Sequence, residues 1–585
     1  MAIAIDSKTR VSREPAEKYF TSWDGVKLFY RAWPSATSCS KAVILLHRGH
    51  EHGGRFQEFV DALNLDEFSI FAWDARGHGR SPGERGYAED FSHLVKDLDA
   101  FVHFVSREYG IPVSNLAVVA HSVGAVLAAT WIHDYAPPIR AMVLGSPAFR
   151  VRLYIPFALF FLRLQMKFRR KAFVKSYVKA AMLTHDPQER AAYTSDKLIT
   201  RSIAVNILIG MHDASSRLME DAAAISVPAL ILSSGNDWVV DVEAQRQFFD
   251  KLLATDKEMH IYPGFYHDLF HERDRALPIG KTREFILRSF ENHRHQTSGI
   301  AAEGNGERYE SLSHPLPVLS PAGFLWGSQR LFLKSIGRMS EGIRIGWRCG
   351  FDSGESLDYI YRNKAAGFSP LGKLIDRVYL SSPGWRGIRA RKAHLQSLLR
   401  SALEKVNASG QPVQLLDIAC GVGRYVLEVL KDMPQVSAQL RDWAPLNLEA
   451  ARQLADQLQV SEVEFTQGDA FDRDALLSVR PRPNVAIVSG LYELFPDNRI
   501  VFRSLQGLAG ALEDDGYLIY TNQPWHPQLE MIARVLTNRD GKPWVMRCRP
   551  QAEMDELVRN AGFEKLEMLI DADGIFTVSL ARKLA

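Results

Sequence analysis

Residues 116–132 read LAVVAHSVGAVLAATWI. A short apolar run of strand character meets a turn of small residues and continues as an apolar helix. At the turn stands Ala120-His121-Ser122-Val123-Gly124, a G-x-S-x-G pattern with Ala in its first position. A serine held in a strained strand-to-helix turn presents its Oγ, and small neighbours let strand and helix pass closely. The helix N-terminus beyond Ser122 favours negative charge developing there. Ser122 is therefore the candidate nucleophile.

A serine nucleophile needs a base, and the base needs a carboxylate to orient it. Downstream, ALILSSGNDWVVD (229–241) is an apolar strand that ends in Gly-Asn-Asp and offers Asp237. After a further short strand, EMHIYPGFYHDLFHE (258–272) offers His267. The chain order Ser…Asp…His fits a triad built on successive strand ends. Asp241 and Asp268 are rival acids and His271 a rival base. The oxyanion donors would be the N–H of Val123 and that of Gly49, in the early loop AVILLHRGHEHGGRF (42–56). His47, His50, His52, His78 and His121 are expected to shape loops.

Working outward, buried-strand runs recur at Ala42–Leu46, Ser69–Trp73, Leu116–Ala120, Ala141–Leu144 and Ala229–Ser233. A second series lies at Val413–Ala419, Ala438–Asp442, Val463–Thr466, Asn484–Ser489 and Tyr517–Thr521. Helix-like segments alternate with both series, which predicts two α/β domains with mainly parallel sheets. Between them, 292–321 is polar, rich in Gly, Ser and Pro, and without period, so it is expected to be a linker. The expected organisation is a first domain over 1–291, a mostly helical segment over 322–408 and a second domain over 409–585.

Together, HRGHEHGGRF, AWDARGHGRSPGERGY, AHSVG, SGNDWVV and PGFYHDLFHE resemble the monoacylglycerol lipase/lysophospholipase family of α/β-hydrolases, over about residues 20–290. The resemblance implies an α/β-hydrolase fold with a helical cap at about 147–220 and hydrolysis of a lipid acyl ester. It places the nucleophile on Ser122, the acid on Asp237, the base on His267 and the oxyanion donors on Gly49 and Val123. Arg48, where that family commonly has Gly, and Ala120 are departures.

A second constellation is VQLLDIACGVGRYVLEVL (413–430), a strand, a Gly-containing turn and a helix. Its D-x-A-x-G-x-G run spans Asp417, Ala419, Gly421 and Gly423, and the glycines allow a ligand close to the backbone at a helix N-terminus. Asp442 ends the next strand and Asp469-Ala470 follow the third. A Gly-rich turn with an acid is shared by NAD sites, the alternative cofactor. LLDIACGVGRY, LRDWAPLNLEAA and FTQGDAF, in that order, resemble class I S-adenosylmethionine-dependent methyltransferases, a Rossmann-like fold. The C-terminal 552–583 resembles their last helix and closing hairpin. The resemblance implies that Gly421 and Gly423 approach the methionine portion, Asp442 takes the ribose, and Asp469 and Ala470 border the adenine. Asp417, Ala419 and Ser489 complete the implied cofactor set. Tyr492, Glu493, Trp525 and His526 follow the fourth and fifth strands and are acceptor-pocket candidates, or else they pack the sheet edge. The order of the halves resembles a bacterial family of bifunctional α/β-hydrolase/class I methyltransferases. A methyltransferase-like domain that only senses or scaffolds, and an acyltransferase in place of the hydrolase, are the alternatives.

The composition agrees with globular protein. Of 585 residues, 46% are hydrophobic and 24% charged, which excludes global disorder. Cys39, Cys349, Cys420 and Cys548 show no CxxC or Cys/His spacing, so no metal is expected. The first 20 residues lack an apolar signal core, and no apolar run approaches the ~18 residues of a membrane span. A cytoplasmic protein is expected. Net charge is +3, yet residues 150–179 carry nine Lys/Arg and no acid, interleaved with Phe and Leu. This segment reads either as a cap with a solvated basic rim or as a peripheral contact for an anionic membrane surface. No nucleic-acid recognition motif accompanies the charge. Oligomeric state is not legible.

Overall fold

The computed structural model describes residues 12–37, 40–155, 157–169, 171–291, 306–317 and 320–584. Residues 292–305 of the expected linker, Cys39, and Arg170 of the basic segment lie outside the described residues. The chain divides into two compact units, 1–296 and 297–585.

In the first unit the strands are β1 (Ala16–Thr21), β2 (Lys27–Trp33), β3 (Ala42–Leu46), β4 (Ser69–Trp73), β5 (Leu116–His121), β6 (Ala141–Gly145), β7 (Phe173–Lys175), β8 (Ser202–Ala204), β9 (Ala229–Ser234) and β10 (Lys257–Tyr262). Eight form one sheet in the order β1-β2-β4-β3-β5-β6-β9-β10. β1 and β2 are antiparallel to their neighbours, and the rest of the sheet is parallel. β3, β5 and β6 are buried along their whole length, which explains their unbroken apolar sequences. β1 lies outside the expected strands because it is an edge: only Phe20 of its six residues is buried. Between β6 and β9 the chain leaves the sheet and builds the helices Ala158–Phe168, Pro187–Ser195 and Val205–Asp221 with the β7–β8 pair.

The second unit carries β11 (Gln414–Asp417), β12 (Ser437–Asp442), β13 (Val463–Gln467), β14 (Val485–Val488), β15 (Tyr517–Asn522), β16 (Phe563–Ile570) and β17 (Thr577–Lys583). The order is β13-β12-β11-β14-β15-β17-β16, parallel except for β17 against both neighbours. Strand order reverses between β11 and β14, and ligands of open α/β sheets bind in the crevice outside the strand ends at such a point. Apolar clusters cover both faces of this sheet.

Residues 321–408 are five helices, Pro321–Lys334, Glu341–Cys349, Gly354–Arg362, Pro370–Leu380 and Pro383–Ala408. They share an apolar cluster with Trp525, Leu529 and Trp544 beyond β15. One further helix, Gly306–Ser313, falls inside the segment expected as a linker. Its Leu312 is buried. The Arg534 guanidinium also captures its end, donating to the carbonyls of Ser311, Leu312 and His314. Tertiary capture of a weakly periodic sequence overrides its local polarity.

Candidate active sites

β5 delivers Ser122 to the N-terminus of the helix Val123–Tyr135 at φ 56° and ψ −114°. This left-handed backbone is fixed from both sides. The Ser122 N–H donates to Gly145 O at 2.8 Å, and the Ala148 N–H donates to Ser122 O at 3.2 Å. Gly124 is required here, because a Cβ would come within 2.5 Å of His47 O. His267, in the loop after β10, places Nε2 at 2.8 Å from Ser122 Oγ. Its Nδ1 lies 2.8 Å from Asp237 Oδ2, in the loop after β9. The other carboxylate oxygen of Asp237 accepts the N–H groups of Val239 and Val240 at 2.8 and 3.0 Å. Burial opposes ionisation of Asp237, but the His267 ring and these two N–H groups hold its carboxyl below the usual range. All three side chains are buried. A hydroxyl, an imidazole and a held carboxylate in this chain of bonds can remove and return a proton during acyl transfer.

Gly49 lies beside this site: a Cβ on it would meet Val123 Cγ2 at 2.9 Å. Gly49 thus packs against the Val123 side chain at the helix N-terminus, where unpaired N–H groups concentrate. Arg48, the departure in this loop, has partners of its own. Its guanidinium is buried, pairs with Glu51 at 2.6 Å and Asp268 at 3.4 Å, and lies over the Tyr193 ring. The rival groups have other partners. His271 Nδ1 bonds Asp268 at 2.9 Å and its Nε2 bonds Arg55 O at 3.0 Å. Asp241 caps the helix Val242–Lys251. His47 is a brace, its Nε2 accepting the Ala75 N–H at 3.0 Å. His121 Nε2 donates to His267 O at 3.1 Å.

In the inserted segment between β6 and β9, the helix Ala158–Phe168 buries none of its residues. Phe157, Phe160, Phe161 and Phe168 are exposed, with Arg163, Lys167 and Arg169 among them.

In the second unit, a cavity of about 730 Å³ opens at the ends of β11, β12 and β14. It is lined by Ala419, Gly421, Gly423, Asp442, Asp469, Ala470 and Ser489 of the expected cofactor set. Its size is in the range that encloses a small-molecule cofactor, about 300–1,000 Å³. Gly421 has φ +58° and nothing within 4 Å of where a Cβ would stand, so its backbone faces open space. Asp442 accepts from Gly421 N through Oδ2, and from Ala444 N and Asn447 Nδ2 through Oδ1, each at 2.9 Å. A carboxylate offers about four acceptor positions. One therefore remains on Oδ2, capacity for one ribose hydroxyl rather than two. Trp443, exposed at the rim, adds a flat face that the sequence reading missed. These features fit S-adenosylmethionine: an open Gly backbone, an oriented acid and an aromatic wall.

Asp417 departs from the expected cofactor set. It is fully buried beneath the turn, accepting from Tyr425 Oη at 2.6 Å and Ala419 N at 3.1 Å, and does not line the cavity. Burial pushes its carboxyl up to about 7 against both bonds. It braces the glycine turn from below.

A second, apolar chamber of about 470 Å³ adjoins the first, and both are lined by Arg391, Gly490, Leu494 and Trp544. The four acceptor candidates divide. Glu493 and His526 line this chamber. Tyr492 and Trp525 do not: the Tyr492 hydroxyl turns into the core toward Ser504 Oγ at 3.0 Å, and Trp525 packs in the apolar cluster. Residues 492–494 form a 3₁₀ turn, so adjacent side chains point about 120° apart and only one of the Tyr-Glu pair can face the chamber. His526 Nδ1 accepts the Gln528 N–H at 3.0 Å, which leaves the ring proton on Nε2. Burial lowers this imidazole to about 3, so it is neutral. Arg391, which donates to Glu493 Oε1 at 3.1 Å, was not among the expected residues. Its signal lay in the helix Pro383–Ala408, where a lone Arg occupies the buried stripe of Ile388, Leu395, Leu398 and Ala402.

Comparison with known proteins places two family models on the chain. One, described as "Putative methyltransferase", matches residues 282–583. The other, "Serine aminopeptidase, S33", matches 37–274. The Escherichia coli (strain K12) "Uncharacterized protein YnbC" is 49% identical over 97% of this chain and 99% of its own length. The monoacylglycerol lipase of Mycolicibacterium smegmatis is 26% identical over 47% of this chain and 99% of its own. Among solved structures, a soluble variant of monoglyceride lipase from Saccharomyces cerevisiae is 21% identical with a TM-score of 0.43, covering 49% of this chain and 97% of its own.

Proposed function

We propose, on the premise that the chain belongs to the methyltransferase family matched over 282–583 and carries a monoacylglycerol lipase-like α/β-hydrolase domain, that it is a two-site enzyme. The first site hydrolyses a lipid acyl ester of the monoacylglycerol or lysophospholipid type. The second transfers a methyl group from S-adenosylmethionine.

One observation carries the hydrolase reading: His267 bridges Ser122 Oγ and Asp237 Oδ2 at 2.8 Å on either side. Ser122 Oγ attacks the ester carbonyl while His267 Nε2 takes its proton. Asp237 holds the ring and its developing charge. The N–H groups of Gly49 and Val123 receive the oxyanion. His267 returns the proton to the departing alcohol, then draws one from water that cleaves the acyl-serine and frees a fatty acid. The exposed Phe residues and cations of 157–169 support a peripheral contact through which the substrate is drawn from a lipid surface.

At the second site, S-adenosylmethionine would supply an electrophilic methyl group. Gly421 and Gly423 would give it a close backbone seat, Asp442 Oδ2 would orient one ribose hydroxyl, and Asp469, Ala470 and Trp443 would bound the base. The test has two arms. Release of fatty acid from a long-chain monoacylglycerol is expected from the native protein and not from Ser122→Ala. Calorimetric binding of S-adenosylhomocysteine is expected from the native protein and is expected to weaken about tenfold or more in Asp442→Ala, since a hydrogen bond to a charged group is worth ~1.5–3 kcal/mol. Hydrolysis that survives Ser122→Ala sinks the first half of the reading. Absence of S-adenosylhomocysteine binding sinks the second.

A further inference from the structure

The apolar chamber beside the cofactor cavity has walls of Ile343, Ile388, Ile532, Trp385, Trp544 and Phe576. A volume of about 470 Å³ is enough to enclose most of a drug-sized ligand. Its mouth is apolar as well: Phe332, Leu374 and Val378 line it while remaining 48%, 52% and 65% exposed. Apolar residues left in water around an apolar cavity mark the entrance for an apolar ligand.

Polar groups gather at the end shared with the cofactor cavity. Glu493 is 7% exposed, and one of its oxygens is held by Arg391. The other, Oε2, is buried with no hydrogen-bond partner, as is Trp544 Nε1. Buried polar atoms without partners are few in folded proteins and call for a ligand or water. A Cβ on Gly384 would come 2.8 Å from His526 Nε2, so glycine leaves that N–H open. An unpaired carboxylate oxygen beside a neutral imidazole favours a proton-bearing head over a second anion.

We propose that this chamber is the methyl-acceptor site and that the acceptor is a single-chain amphiphile, a long hydrocarbon tail bearing a hydroxyl or amine head. The proposal rests on the methyltransferase reading above. The tail occupies the apolar walls, and the head lies at the junction by Gly490, within reach of Glu493. A lone pair of the head's oxygen or nitrogen forms the new bond to carbon. The methyl–sulfur bond of the S-adenosylmethionine donor breaks with its electron pair remaining on sulfur, and the head's proton passes to Glu493 Oε2.

The test is calorimetric binding of hexyl-, octyl- and decylamine, and of the matching alcohols and carboxylates, to the full chain saturated with S-adenosylhomocysteine. Each methylene buried is worth ~0.8 kcal/mol, so affinity should rise about fourfold per added carbon. Ile532→Trp, which fills the chamber, should weaken decylamine at least tenfold while S-adenosylhomocysteine binding stays within about twofold. Val378→Glu, at the exposed mouth where misfolding is not a concern, should do the same to a lesser degree. Glu493→Gln should weaken the amines and not the carboxylates. Affinity that ignores chain length, or decylamine binding untouched by both chamber variants while S-adenosylhomocysteine still binds, overturns the proposal. Carboxylates binding more tightly than amines overturns the assignment of the head. Loss of S-adenosylhomocysteine binding in the native protein overturns the methyltransferase reading itself.

Discussion

Ser122 holds a backbone conformation that costs a non-glycine residue on the order of 1–3 kcal/mol, and its neighbours keep it there through the bonds to Gly145 and Ala148. Gly124→Ala is therefore expected to force the elbow away from His47 O, 2.5 Å from the new Cβ, and to lower ester hydrolysis by more than tenfold. Steady-state kinetics on a monoacylglycerol would read it. Ser122→Ala should lose on the order of 10⁶ in kcat and Asp237→Asn on the order of 10⁴, because a wrongly oriented imidazole retains part of the machinery. The three candidate triad residues could be picked out in the sequence because each follows a short strand and their order along the chain fits a triad, and the structure brings them within hydrogen-bonding distance. Arg48 was legible as a departure but not as a cause. Only the fold reveals that Glu51 and Asp268 hold its guanidinium.

At the scale of elements, strand ends and turns decide which residues meet. The buried parallel strands were readable because burial on both faces leaves no polar position to confuse the pattern. β1 was not, because an exposed edge imposes almost no apolar requirement. Asp417 and Asp442 end neighbouring strands, yet only Asp442 reaches the cavity, and Asp417 turns under the glycine loop. A buried carboxyl raised to about 7 keeps a proton in the folded state that the unfolded chain releases near 4. The folded state therefore loses stability from this group as pH rises from about 4 to about 7. In calorimetry between pH 5 and 7.5, following the transition that S-adenosylhomocysteine raises, Asp417→Asn should flatten this slope relative to the native protein. The 3₁₀ turn at 492–494 shows why adjacent acceptor candidates could not be separated by sequence: the choice depends on turn phase, not residue type. The inserted helix Ala158–Phe168 offers its own test. Phe160→Ser with Phe161→Ser should weaken sedimentation with anionic vesicles about tenfold, with water-soluble ester hydrolysis retained.

At the scale of the molecule, each of the two units holds its own candidate site. Ser122, Asp237 and His267 belong to the first, and Asp442, Glu493 and Arg391 to the second. Ser122→Ala is thus expected to leave S-adenosylhomocysteine affinity unchanged, and Asp442→Ala to leave ester hydrolysis unchanged. The two-domain division was legible from the repeated strand–helix pattern. The helix Gly306–Ser313 was not, since its order comes from Arg534, more than 200 residues away. The most direct measurement is lipid mass spectrometry on native protein and Ser122→Ala. Each is incubated with long-chain monoacylglycerol, a bacterial lipid extract and S-adenosylmethionine labelled in its methyl group. Fatty acid is expected from the native protein alone, and label in a long-chain product from both. Fatty-acid release undiminished in Ser122→Ala, or label confined to water-soluble products, would contradict it.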